Sequence, residues 1–252
     1  MKLDNWHFAG RSIRGSLHRN AGVINQDAIA FGRKCDDGHI IAAISDGHGA
    51  PQHFLSHIGA RLAVNCALEY FQNKGEFEAP DPGQGIFACW SLAVDRHWEE
   101  ELGLFPRSGL SRIAYGATLL GIEIGPDRLR LLQVGDGAIR LGYADGRIGT
   151  PILADNLPNG CTVSLCTPGA VAQSCSIDCS GSSAPDFVLM ASDGFIRSLG
   201  DTEALNAAVR SLRACVMSNP RRIDEAVAIC LSGMADWGCG DDITLWLAAR
   251  SP

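Results

Sequence analysis

Four acidic positions stand at the edges of hydrophobic runs in this chain. Asp46 closes the apolar run 40–45 and opens the tetrapeptide Asp46-Gly47-His48-Gly49. Asp136-Gly137 follows the run 131–135, Asp193-Gly194 follows the run 187–192, and Asp241-Asp242 stands immediately before the run 243–249. Each run has the length and apolar character of a buried strand. Carboxylates delivered from separate strand ends to one edge of a sheet would form an oxygen-rich site. Hard divalent cations prefer that donor set, which makes Mg²⁺ or Mn²⁺ the natural occupant.

An Asp-Gly pair after a strand is also a hairpin signal, because both residues tolerate positive φ. Asp145-Gly146, between the strand-like runs 137–144 and 147–153, is read as such a turn. Asp46 and Asp193 differ from it in their flanks. A nearly all-apolar run ending in Ser precedes each, and a helix-like segment follows, which is the architecture of a site at a strand's carboxyl end.

The elements that must position these residues follow from periodicity. Residues 12–33 read as two short strands around the loop 18–27, the second strand at 28–31. Apolar residues at helical spacing predict helices over 50–72, with Pro51 in the first turn, and over 85–102, with a loop at 75–83 between them. Runs 116–124, 128–135, 137–144 and 147–153 read as a meander of antiparallel strands joined by tight turns. Residues 154–185, rich in Ser, Cys, Gly and Pro, read as a loop or small flap-like segment with weak strand character at 161–166. After the strand at 187–192 come helices at 201–217 and 221–234, separated by Pro220, and a last strand at 243–249. Strands grouped with strands and helices with helices predict a layered α+β fold rather than alternating βαβ units.

Composition narrows the function. The 252 residues carry a net charge of -7 with no concentration of Lys and Arg, which argues against nucleic acid or an anionic membrane as partner. No run approaches a membrane span, and the first residues lack the apolar core of a signal peptide, so a cytoplasmic location is expected. No linker divides the chain, and a single domain over 1–252 is expected. The ten cysteines contain no C-x-x-C pair and are read as free thiols. Neither G-x-G-x-x-G, a P-loop nor G-x-S-x-G occurs, so nucleotide-binding and serine-hydrolase readings lack their signatures.

Taken in order, the motifs resemble those of the metal-dependent type 2C (PPM) serine/threonine protein phosphatases, bacterial branch. Asn25-Gln26-Asp27 stands for that family's early acidic pair, and Ser45-Asp46-Gly47-His48-Gly49 for its D-G-H motif. Tyr115-Gly116-Ala117-Thr118 matches its G-S/A-T opening, and Val134-Gly135-Asp136-Gly137 its G-D-S strand end. Ala191-Ser192-Asp193-Gly194 matches its second D-G, and Gly240-Asp241-Asp242-Ile243-Thr244 its terminal D-N-I/M-T/S. The resemblance implies a four-layer sandwich, with two central antiparallel β-sheets flanked by pairs of α-helices.

It further implies roles. Asp46 would bridge two Mn²⁺ or Mg²⁺ ions, the Gly47 carbonyl would bind the first, and Asp193 and Asp241 the second. Gln26 and Asp27 would orient waters on the ions, and Asp136 would join a third, weaker site. A hydroxide bridging the two ions would attack a phosphoserine or phosphothreonine of a protein substrate, opposing a Ser/Thr kinase. His48 would be the general acid, a role suited to a group titrating near neutrality. The family's phosphate-binding Arg falls here on Gly22, and Arg19 or His18 is expected to supply that contact. Two other readings stand beside this one: an inactive family member that binds phosphoproteins as a regulatory module, and a hydrolase of small phosphoesters.

Overall fold

The computed structural model describes residues 3–73, 82–103, 110–153, 161–179, 181 and 184–251. Two five-stranded sheets face each other. One has the order β1 (Trp6–Ile13), β10 (Ile243–Arg250), β9 (Phe187–Ala191), β6 (Ala138–Gly142), β7 (Ile148–Gly149). The other runs β2 (Ala28–Arg33), β3 (Ile40–Ser45), β4 (Leu119–Ile124), β5 (Arg128–Val134), β8 (Gln173–Asp178). All neighbouring strands pair antiparallel. Helices α2 (Ser56–Gln72) and α3 (Pro82–Leu102) cover the second sheet, and α6 (Thr202–Ser218) and α7 (Ile223–Trp237) cover the first. The short helices α1 (Ser16–Ala21), α4 (Leu110–Ala114) and α5 (Asp193–Leu199) sit at loops.

Side-chain alternation sorts the layers. In β3, Ile40, Ala42 and Ile44 enter the core between the sheets, while Ile41 and Ala43 face α2 and α3. In β10, Trp246 and Ala248 point between the sheets, while Leu245, Leu247 and Ala249 meet the helices of the other face. Strands buried on both faces must be apolar throughout, which is why these runs read as continuous rather than alternating. Fully burying each such side chain stabilises by roughly 1.5–3 kcal/mol. The interior strands are thereby fixed, and their ends become a rigid base for polar groups.

Several expected elements differ. The first strand is β1, beginning at Trp6, and the loop expected at 18–27 contains α1, a helix with no buried residue and hence no apolar periodicity to announce it. The chain at 51–53 is a 3-10 turn, and α2 starts only at Ser56. The meander is broken: β5 lies in one sheet and β6 in the other, so the tight connection through Gly135, Asp136 and Gly137 crosses between layers. Gln133 holds that crossing, its Nε2 donating to the carbonyls of Gly135 and Gly137 at 3.0 and 2.9 Å. The run 147–153 yields only Ile148–Gly149 as strand.

Residues 161–166 are not a strand. The Thr167 hydroxyl accepts from the Ser164 N–H and the Thr167 N–H bonds back to Ser164 O, closing a turn. The strand lies downstream as β8, a sheet edge whose Ser-Cys-Ser-Ile alternation sends Cys175 and Ile177 inward. Residues 154–160, 180, 182 and 183 of the flap-like segment, and most of the loop expected at 75–83, lie outside the described residues. All ten cysteines are free thiols.

Candidate active site

The carboxyl ends of β3 and β9 and the entry to β10 meet at one edge of the sandwich. Asp46 leaves β3 beside the opening of β4, and three groups of the Gly116-Ala117-Thr118 segment grip it. Thr118 N donates to Asp46 O at 2.8 Å, Thr118 Oγ1 accepts from Asp46 N at 3.1 Å, and His48 N donates to Gly116 O at 3.1 Å. Gly47 pairs with Ala117 as an isolated bridge. The G-A-T sequence is thus the cradle of the D-G-H loop.

Both glycines that follow the key aspartates are there for space. A Cβ on Gly47 would fall 2.7 Å from Gln26 O and 2.9 Å from Ser56 O, and one on Gly194 would fall 2.0 Å from Asp242 O. Neither has a positive φ, whereas Gly146 of the Asp145-Gly146 turn has φ 83°. The hairpin reading therefore holds at Asp145, and close backbone approach explains Gly47 and Gly194.

His18, Gln26, Asp46, Gly47, His48, Asp136, Asp193 and Asp241 line one cleft of about 210 Å³, together with Gly49, Thr118, Thr162 and Arg197. Asp27 is buried below it, where Thr244 Oγ1 donates to its carboxylate at 2.7 Å. Burial, against the hydrogen bonds of Thr244 and Ser192, pushes the Asp27 carboxyl up to about 7. Burial, then the charges of Asp27 and Asp193, hold Asp46 well above the usual carboxylate range. Asp241 is raised by burial and by Asp193. Gln26 is fixed by its Nε2 donating to Ser56 Oγ at 2.8 Å.

Arg19 is not brought to the cleft lining. Its Nη1 donates to Arg14 O at 2.6 Å. His18 does line the cleft, with its Nδ1 2.9 Å from Asp242 Oδ2 and its Nε2 3.8 Å from Asp241 Oδ1. His48 lies edge-on to His53, ring centroids 4.9 Å apart. Burial and the His53 charge lower its imidazole to about 4.

Two residues were missed by sequence reasoning. Asp242 is 2% exposed and accepts from the N–H groups of Gly15 and Gln26 at 2.8 and 2.6 Å, tying the entries of α1 and β2 to β10. Its doubling next to Asp241 was the available signal. Arg197, one turn beyond Asp193 on α5, donates to Asp241 Oδ2 at 2.9 Å and reaches Asp193 Oδ2 at 3.5 Å. An i, i+4 relation to a site aspartate was its signal.

The donor set fits a divalent cation. Four aspartates line the cleft against one guanidinium, and burial plus mutual repulsion raises the carboxyls of Asp46 and Asp241, disfavouring their charged forms in a way that a cation would relieve. As the side chains stand, no three His, Cys, Asp or Glu groups among the described residues converge at ligating distance. Arg197 sits on two of the carboxylates, Asp241 and Asp193.

A two-sheet α+β sandwich with this acidic strand-end edge is the arrangement of a metal-dependent phosphatase. The chain belongs to the protein phosphatase 2C family, whose profile matches residues 14–231, and so is a phosphoric monoester hydrolase, a metal-dependent serine/threonine phosphatase. No curated protein matches it in sequence. In fold it is similar to the catalytic domain of the serine/threonine protein phosphatase PstP in complex with two manganese ions, at 19% identity and TM-score 0.67 over 98% of this chain and 99% of that one. It is similar too to the serine/threonine phosphatase Stp1 of Staphylococcus aureus, at 14% identity and TM-score 0.67 over 97% and 95% of the two chains. RsbX, in complex with magnesium, matches at 13% identity and TM-score 0.61 over 100% and 98%. Among the described residues no helix is long and apolar enough to cross a membrane.

Proposed function

We propose that this chain removes phosphate from phosphoserine and phosphothreonine in cytoplasmic proteins, opposing a Ser/Thr kinase, with two Mn²⁺ or Mg²⁺ ions held at Asp46, the Gly47 carbonyl, Asp193 and Asp241. When bound, such ions activate water at neutral pH and neutralise charge on the phosphoryl oxygens. The observation that carries this reading is the gathering of Asp46, Asp193 and Asp241 from distant parts of the chain into one cleft whose own cations are too few to balance them. Asp136, at the crossing between sheets, lines the same cleft and is the candidate for a third, weaker site.

The chain's own residues supply position and protons. Gln26, tied to Ser56, and Asp27, tied to Thr244, flank Asp46 and orient water within the cleft. His48 is neutral in the free cleft at pH 7. A dianionic phosphoryl group placed beside it adds the negative charge that raises an imidazole, so substrate itself prepares His48 to protonate the departing seryl or threonyl oxygen.

The test is a substrate panel with Mn²⁺. Phosphoserine and phosphothreonine peptides are expected to be hydrolysed with higher kcat/KM than sugar or nucleoside phosphates. A preference for the small esters would replace the protein substrate. Tight phosphopeptide binding without turnover would favour the regulatory module.

A further inference from the structure

Of the places where the sequence points for a phosphate contact, position 22 is glycine, Arg19 folds back on Arg14, and His18 lines the cleft but lies against Asp242. Arg197 is the guanidinium that lines the cleft among the described residues. Its side chain is 58% exposed, and the hydrogen bonds it makes go to the carboxylates of Asp241 and Asp193. Those are carboxylates assigned above to the second ion. An ion that takes them and an arginine that holds them exclude each other, since like charges within a few ångströms repel.

We propose that Arg197 is the phosphate-binding cation of this cleft, stored between Asp193 and Asp241 until divalent cations take those carboxylates. This rests on the two-metal reading of the cleft and assigns to it a residue that the family's motifs do not. The geometry supports it in three ways. α5 begins at Asp193 and carries Arg197 one turn later on the same face, so a guanidinium released from the carboxylates stays over the cleft. Its exposure leaves it free to swing, at little cost in packing. Its planar fork matches phosphate oxygens in a bidentate manner, which an ammonium does not.

The arrangement couples two ligands. Arg197 competes with metal and assists phosphate, so metal binding releases the group that phosphate needs. By linkage each ligand must then favour the other beyond simple attraction. Deleting Arg197 should change the two affinities in opposite directions.

The experiment is calorimetry of the full chain, wild type against Arg197→Ala and Arg197→Lys, with Mn²⁺ alone and then with inorganic phosphate on the Mn²⁺-loaded protein. Arg197→Ala is expected to bind Mn²⁺ severalfold more tightly at the second site and to bind phosphate on the order of ten- to a hundredfold more weakly, the weight of a hydrogen bond to a charged group. Arg197→Lys should recover part of the phosphate affinity only. Unchanged phosphate binding in Arg197→Ala would overturn the assignment, and weaker Mn²⁺ binding would make Arg197 a support of the metal site instead. Retained melting temperature in each variant guards against misfolding. If the wild type binds no Mn²⁺, the two-metal reading fails and this assignment with it, whereas Mn²⁺ binding with unchanged phosphate affinity in Arg197→Ala overturns the assignment alone.

Discussion

Two acidic clusters in this molecule are treated in opposite ways. At the far end of β4, Glu123 is 2% exposed and ringed by two cations and an imidazole: Arg130 Nη1 lies 3.0 Å from Oε2, while His39 Nδ1 and Lys34 Nζ lie 3.1 and 3.7 Å from Oε1. At the near end, where β4 opens beside the D-G-H loop, Asp193 and Asp241 share one arginine, and burial and mutual repulsion keep Asp46 and Asp241 raised. Both clusters sit on the same rigid strands. The fold can evidently match a buried carboxylate with internal cations, so the deficit in the cleft marks a place where positive charge comes from outside. A buried charge left unpaired costs several kcal/mol, too much to be retained without a return.

The largest expected effect comes from removing the central carboxylate of the unmatched cluster. Asp46→Asn should lower Mn²⁺-dependent turnover by about 10³-fold or more, as loss of a principal electrostatic group does. Asp136→Asn should lose less and recover at high Mn²⁺. Steady-state rates across a Mn²⁺ titration give the ranking, and equal losses at saturation would reverse the assignment of Asp136 to the weak site.

His48→Ala should slow hydrolysis of a phosphoserine peptide by about 10²-fold while barely changing p-nitrophenyl phosphate, whose leaving group needs no proton. Chemistry must limit both rates for the comparison to hold. An equal loss on the two substrates would give His48 a structural role beside His53.

The matched cluster should respond in stability alone. Glu123→Gln removes a buried carboxylate from Arg130, His39 and Lys34, although Lys34 keeps Asp37 at 3.2 Å, and should cost about 1–3 kcal/mol, or roughly 2–12 °C in melting temperature. The Mn²⁺-loaded turnover number measured well below that transition should not change. The same acid-to-amide change at Asp46 should leave the metal-free protein at least as stable as wild type, because it removes repulsion rather than a salt bridge. Differential scanning calorimetry of both variants without metal sets the two signs side by side.

The smallest effect is a pH dependence. The folded-state carboxyl of Asp27 is raised to about 7, so the folded protein holds a proton that the unfolded chain has released. The metal-free protein should therefore lose stability as pH rises from about 4, the free carboxylate value, to about 7. Metal binding runs the other way. A proton on Asp27 opposes the ion, so apparent Mn²⁺ affinity should weaken below about pH 7, by up to about tenfold per pH unit if that proton is displaced; the raised Asp46 carboxyl acts in the same direction.

The cleft was largely legible in the sequence because each carboxylate follows or precedes a strand buried on both faces, and such strands announce themselves by continuous apolar character. What the motifs did not give were positions set by the third dimension. Asp242 and Arg197 act through partners distant in sequence, at Gly15, Gln26 and Asp241. The fold was legible at the helices and interior strands, with ends displaced by a few residues. β1 was obscured because only Trp6 and Ala9 of its eight residues are buried. The switch of sheets between β5 and β6 was invisible because a tight turn inside one sheet and a tight crossing between two have similar lengths. Gln133, the residue that tells them apart, reads as an ordinary polar interruption of a strand.

The central claim is that the unmatched carboxylates are a built site for divalent cations. Titration of chelator-stripped protein with Mn²⁺ by calorimetry tests it most directly, using wild type, Asp46→Asn and Glu123→Gln. The account predicts two ions on the wild type and on Glu123→Gln, and loss of both on Asp46→Asn. Undiminished binding to Asp46→Asn, or full phosphatase activity in the stripped wild type, would contradict it.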